Sequence, residues 1–253
     1  MELALEQQKK LNRQGFISYL NMFWFLPFFV LILRVWGGYR SPHTRLIRKK
    51  VRKLLNESQN RPIVICANHL TMIDSLIISW LLFSPASFFL EFRKFPWNVP
   101  EVKNFGKNFW LRVMCYLGKC IFIDRQGTAK DKKQTLAKIA HLTRQGQMVC
   151  IFPEGGRSRE GRVIPENAVY GVGELIQEIP GCLALCIYVR GEHQEKFSYY
   201  PKKGESFYLD AHMMQPTSES TGRRGARDIT MKIMNQLKVM EDSCYEHRLT
   251  KGS

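Results

Sequence analysis

The 253-residue chain predicts an α/β fold: a largely parallel sheet flanked by helices, preceded by an apolar membrane-attachment helix or helical hairpin. Three observations predict it. Short apolar, β-branched runs recur along the chain, each bounded by turn residues. Longer stretches with apolar residues at helical spacing lie between them, and strands alternating with helices build a parallel sheet. The composition, 45% apolar and 12% aromatic, is globular and sufficient for a large buried core.

The N-terminal element is the run GFISYLNMFWFLPFFVLIL, residues 15–33, which carries no charge. Arg34 to Lys53 follow with eight Lys or Arg and no acid. An apolar run beside a cationic one is the two-signal pattern of membrane attachment. No small-residue cleavage site follows, which disfavours a secretory signal. The run is just long enough to span a bilayer. Ser18, Asn21 and Pro27 suit a hairpin dipping into one leaflet equally well, and a buried core helix is the plain alternative. If the run spans, the basic flank stays on the cytoplasmic face. The expected boundary divides an attachment segment, 1–53, from a domain of 54–253.

Strands are expected at 61–67 (RPIVICA), 87–92 (SFFLEF), 120–124 (CIFID), 147–152 (QMVCIF) and 182–189 (CLALCIYV). Helices are expected at 72–83, ending before Ser84-Pro85, and at 108–118, stopped by Gly118. A third, at 129–146, has Leu136, Ile139, Ala140 and Leu142 at helical spacing and Gly146 as its stop. A short helix follows from 168 to 177. KFSYY and SFYLD read as a hairpin around PKKGES, and Arg223 to Met240 as a basic amphipathic helix.

The formal net charge of +16 calls for an anionic partner: nucleic acid, a membrane surface or a phosphorylated substrate. The densest cations adjoin the apolar run, and no basic face interleaved with aromatics appears. Nucleic acid is therefore set aside. Seven Cys, an odd number with no CxxC pair, read as buried free thiols without disulfides or zinc.

Three polar clusters follow strand ends, where open α/β sheets bind ligands. In the first, CANHLTMID, His69 and Asp74 are five residues apart, about 500° of helix rotation. They can meet only if His69 lies in the turn before the helix and folds back. Asp74 would then fix the imidazole through Nδ1, leaving Nε2 as a general base. No strained elbow exposes Thr71 or Ser75 as a nucleophile, so the attacking hydroxyl is expected on the substrate. In the second, GKCIFIDR, Arg125 ends a strand. In the third, FPEGGRSREGR, Gly155 and Gly156 let backbone N–H groups approach an anion beside Arg157, Arg159 and Arg162. Glu154, among these cations, is expected to stay ionised.

In this order the clusters resemble the glycerolipid acyltransferase superfamily, which includes the lysophosphatidic acid and glycerol-3-phosphate acyltransferases. NHLTMID matches its NHxSxxD pattern at Asn68, His69 and Asp74, with Thr71 for Ser; GKCIFIDR matches GxxxFxxR at Gly118, Phe122 and Arg125. FPEGGRS matches FPEGTRS with Gly156 for Thr. The resemblance covers about residues 61–192, and no motif is recognised beyond. It implies an O-acyltransferase acting on a lysophospholipid, with lysophosphatidic acid as the leading acceptor and acyl-CoA or acyl carrier protein thioester as donor. Glycerol 3-phosphate or a lyso-ornithine lipid are other acceptors of the same family, and an inactive membrane scaffold is the non-enzymatic alternative. His69 would be the base and Asp74 its orienter. Asn68, Arg125, Glu154, Gly155, Gly156 and Arg157 would bind the acceptor, with both arginines on its phosphate. No cofactor and no metal are implied.

Overall fold

The computed structural model describes residues 3–84 and 90–252. β1 (Ile63–Ala67) is buried along its whole length, as an unbroken IVICA run requires of a strand covered on both faces. It lies at the centre of a five-stranded sheet, between β3 (Val149–Ile151) and β4 (Leu183–Gly191). β2 (Trp97–Asn98) lies beyond β3, and β5 (Phe207–Met214) forms the other edge. The first four strands run parallel, and β5 is antiparallel to β4.

Alternate side chains of each strand enter two cores. On one face, Val64, Cys66, Ala184, Cys186 and Tyr188 pack against α6 (Ala129–Arg144), α7 (Gly171–Glu178) and α8 (Gly222–Gly252). On the other, Ile63, Ile65, Ala67, Leu185 and Ile187 meet α1 (Leu5–Leu31), α2 (Thr44–Glu57) and α3 (Asp74–Leu82). Each fully buried aliphatic side chain contributes about 1.5–3 kcal/mol, so the two-residue period sets both the register and most of the cohesion. Two short helices, α4 (Val102–Phe105) and α5 (Phe109–Leu117), lie between β2 and α6. Local signals place the ends: Asn108 accepts the Leu111 N–H, and Thr128 and Asp131 cap α6 reciprocally.

Three expected elements differ. Residues 87–89 of the strand expected at 87–92 lie outside the described residues, and Phe92–Lys94 form a 3-10 turn rather than a strand. Residues 120–124 are extended, but they meet 98–101 only through isolated bridges, Asn98 with Cys120 and Glu101 with Ile123. Pro100 stands between those bridges and has no N–H for a continuous ladder. KFSYY forms no strand, because its backbone serves a different partner. Ser198 N–H donates to Leu70 O, and the Tyr199 carbonyl accepts from Met72 N–H, so the segment holds the turn after β1. SFYLD pairs with β4 instead.

The apolar run is one continuous helix rather than a hairpin. Pro27 lies inside α1 without ending it, and a π turn, Ile32–Trp36, continues it. By length and composition it could cross a membrane. One edge, Leu11, Gln14, Ser18, Met22 and Leu26, is buried against the domain. The polar pair on that edge has a definite task. Gln14 Nε2 donates to the Tyr116 and Cys120 carbonyls and Ser18 Oγ to Tyr116, which satisfies the orphan carbonyls at the end of α5. The opposite face leaves Phe16, Phe23, Trp24, Phe28 and Trp36 exposed, and α5 adds Phe109 and Trp110.

Lys119 joins the turn after α5 to the segment before β2. It is fully buried at φ +56°, and its Nζ donates to Phe92 O and Phe95 O under the rings of Phe92, Phe95 and Trp97. Burial pushes its ammonium down to about 7.

Helices α7 and α8 approach most closely at Gly173, where a Cβ would lie 1.9 Å from Ala226 O, whereas at Gly171 it would meet nothing within 4 Å. Gly173→Ala is therefore expected to cost about 1–3 kcal/mol. Gly171→Ala should be neutral or slightly stabilising. Urea unfolding of both variants checks this, and equal effects would refute the close contact.

Candidate active site

β1 runs directly into the site. Asn68 prolongs its pairing with β4: the side chain is buried, its Oδ1 accepts Val189 N–H at 2.8 Å, and its Nδ2 donates to Val189 O at 3.0 Å. The amide is thus occupied by the sheet. The chain then turns sharply, and Asp74, the first residue of α3, collects the turn. Its Oδ2 accepts the Leu70 and Thr71 N–H groups at 2.6 and 2.7 Å and lies 2.9 Å from His69 Nδ1. Its Oδ1 accepts the Thr71 hydroxyl at 2.5 Å. With Asp74 ionised, the His69 contact makes Nδ1–H the donor, so the second ring nitrogen, Nε2, carries the lone pair. Thr71, weighed from the sequence as a nucleophile, is buried and spends its hydroxyl on this carboxylate.

The loop after β3 meets the same turn. Glu154 Oε1 accepts His69 N–H at 3.0 Å, Ser158 N–H donates to His69 O at 2.9 Å, and Phe152 stacks on the imidazole with centroids 4.0 Å apart. The expectation that Glu154 stays ionised is corrected. Burial raises its carboxyl to about 8, and the carboxylates of Glu241 and Asp74 reinforce the rise, against the opposing His69 N–H and Arg190. Among the described residues, none of the loop's arginines is in an ion pair with Glu154; Arg157 stacks on Phe197 and Tyr199, and Arg162 on Tyr245. Gly155 has φ +66°, and a Cβ there would lie 2.2 Å from Val169 Cγ2, so only glycine fits. At Gly156 a Cβ would lie 3.9 Å from Arg125 Nη1, which leaves room for a side chain.

His69 and Arg125 line one cavity of about 260 Å³. Met22, Phe25 and Phe29 from α1, Leu76 and Trp80 from α3 and Met114 from α5 also line it, so its wall is mostly apolar. Arg125 is partly exposed and lies 3.6 Å from Glu101. Arg157 lines a separate polar recess with Glu154, Gly156, Ser158 and Arg159. The structure therefore joins His69, Asp74, Glu154 and Phe152 into one cluster and divides the two arginines between two recesses, Arg125 in that of His69 and Arg157 in that of Gly156. Phe152, Glu101 and the α1 side chains were missed in the sequence reading. Phe152 is the first residue of the FPEGGRS motif, and that position was its signal; Glu101 gave none.

A base held at Nδ1, with its ring facing an apolar channel and cations nearby, suits proton abstraction from a hydroxyl delivered beside a long apolar chain. The Glu154 shift also has a consequence for stability. A carboxyl raised in the folded state contributes stability that is complete below its ordinary value of 4.5 and is lost as pH rises through about 8. Glu154→Gln mimics the protonated form. Relative to it, wild type is expected to lose stability between pH 5 and 8, roughly the window those values bound. Thermal unfolding across that range decides, and parallel curves would show Glu154 already ionised.

Comparison with protein-family models matches residues 47–190 to the acyltransferase family. Comparison with curated proteins gives no match. The matched stretch runs from α2 into the end of β4 and contains the whole turn and loop just described. It takes in more than half of the chain, which therefore belongs to the acyltransferase family.

Proposed function

We propose that this protein is a membrane-attached O-acyltransferase of the 1-acylglycerol-3-phosphate type. It moves a fatty acyl group from an acyl thioester, of CoA or acyl carrier protein, to lysophosphatidic acid, giving phosphatidic acid for phospholipid synthesis. The observation that carries the reading is the His69 ring, fixed by Asp74, at the polar end of an apolar channel. His69 Nε2 takes the proton of the acceptor hydroxyl as its oxygen attacks the thioester carbonyl. The new C–O bond forms, the C–S bond breaks, and the imidazolium returns the proton to the departing thiolate. The acyl chain occupies the channel, and the acceptor phosphate lies over the Gly155–Gly156 turn within reach of Arg125 and Arg157.

The exposed aromatic face of α1 and α5, beside the basic α2, supports attachment to an anionic lipid surface on the cytoplasmic face. Exposed apolar surface on this scale is unusual for a monomer in water. The scheme calls for no metal and no prosthetic group.

The reaction is tested with detergent-solubilised protein, radiolabelled acyl-CoA or acyl carrier protein, and a panel of acceptors. Transfer to lysophosphatidic acid is expected, and His69→Ala should lower it by about 10²–10⁴-fold. Faster transfer to glycerol 3-phosphate or lyso-ornithine lipid would replace the acceptor, and no transfer at all would leave an inactive scaffold. Attachment is tested by co-sedimentation with anionic vesicles. High salt should weaken binding without abolishing it, whereas Trp24→Glu with Phe28→Glu should abolish it. Complete release by salt alone would show a purely electrostatic contact.

A further inference from the structure

The loop after β3 is fastened at both ends. Near its start it is tied to His69 through Glu154 and Ser158. Its far end is held from outside. Arg190, at the end of β4 and 1% exposed, donates through Nη2 to the Gly161 carbonyl and through Nη1 to Gln194 O at 2.8 Å. Glu241, on α8 and 0% exposed, accepts the Val163 N–H at 3.2 Å on each oxygen and the Tyr188 hydroxyl at 3.2 Å. The two side chains meet at 3.4 Å, and Arg162 lies 3.8 Å from the centroid of the α8 residue Tyr245.

A buried ion pair by itself is weak evidence of stabilisation, because removing both charges from water costs about as much as their attraction returns. What distinguishes this pair is where its remaining hydrogen bonds go. Each partner also bonds the backbone of one short segment, 161–163: Arg190 Nη2 donates to the Gly161 carbonyl and Glu241 accepts the Val163 N–H, while their other bonds, to Tyr188, Gln194, Glu195 and Lys238, hold the pair itself in place. Gly161 shows how closely it is pressed: its φ is +69°, and a Cβ would lie 2.1 Å from Glu195 O. The glycine pair and Arg157 lie between the two ties to His69, at Glu154 and Ser158, and Ser158 stands three residues before the segment that Arg190 and Glu241 hold. Misplacement of a substrate-binding group by about 1 Å can cost 10²-fold in rate.

We infer that Arg190 and Glu241 are positioning residues of the site: they hold the Gly155–Arg162 loop in register with His69 for an anionic acceptor. The inference rests on the reading above, in which this loop takes the acceptor phosphate. It makes α8, which lies outside the matched residues 47–190, part of the machinery.

The test uses the full chain with two substitutions. Glu241→Asp keeps a charge beside Arg190 but withdraws the carboxylate from Val163 N–H; Glu241→Gln keeps the length and removes the charge. Tyr245→Leu, which takes the ring from under Arg162, is a milder third variant should the buried ones fail to fold. Amide hydrogen exchange is read over 155–163 and over β1 and β4. KM is measured separately for lysophosphatidic acid and for acyl-CoA. The expected result is faster exchange confined to 155–163, KM for the acceptor raised about tenfold, and KM for acyl-CoA within about twofold. Unchanged loop exchange in a folded variant overturns the clamp. Faster exchange with both KM values unchanged, or with both raised alike, overturns the positioning role. If wild type transfers to no acceptor, the acyltransferase reading falls, and exchange alone judges the clamp.

Discussion

The site depends on one carboxylate. Asp74 takes hydrogen bonds from two backbone N–H groups and one hydroxyl and pairs with His69 Nδ1, all within six residues. Its place at the first turn of α3 suits a negative charge, because unpaired N–H groups and the helix dipole gather there. Those bonds bend the chain between β1 and α3 back on itself, and only that bend lets two residues five apart meet. At the near side of the bend, Asn68 ties the chain to Val189 as if it were one more strand residue. His69 is bracketed by a fixed strand end and a fixed helix start, so its ring needs little reorganisation to act.

Much of this was legible from residue order alone. Buried parallel strands announce themselves as short unbroken apolar runs, and β1, β3 and β4 fall where those runs lie. The meeting of His69 with Asp74 followed from excluding a helical relation between them. What stayed hidden depends on partners distant in sequence. Ser198 and Tyr199 look like strand residues, but their backbone bonds go to the turn at 70–72. The charge on Glu154 was misread because its neighbours in sequence are arginines, whereas the fold buries its carboxyl and, to a lesser degree, sets Glu241 and Asp74 near it. A local reading counts charges along the chain; the fold decides which of them face one another.

The N-terminal helix shows a related ambiguity with a physical resolution. Its composition fits a core helix, a hairpin or a span, because each needs only a long apolar run. The polar residues separate these cases once their partners are known. Gln14 and Ser18 lie on the buried edge and close the carbonyl end of α5, which ties α1 to the domain. Met22 and Phe25 then become part of the channel wall that reaches His69. The same helix therefore presents an apolar face outward and an apolar wall inward. Any chain entering the channel from a lipid phase would stay in contact with apolar side chains along its path.

The separation of Arg125 from Arg157 bears on how an anion could be held. The two arginines line different recesses, and Gly156 is near both: Arg125 Nη1 is 3.9 Å from where its Cβ would be, and Gly156 shares the polar recess with Arg157. The positive φ of Gly155 and its contact with Val169 fix the backbone of the turn. Arg125 pairs with Glu101 at 3.6 Å, beyond hydrogen-bonding distance, and its side chain is partly exposed, so the contact holds it only loosely. Burial raises the Glu154 carboxyl to about 8, which disfavours a further negative charge beside the turn. Charge is thus brought beside the turn by Arg125, from the segment after residues 120–124, and by Arg157, while the two glycines contribute only backbone.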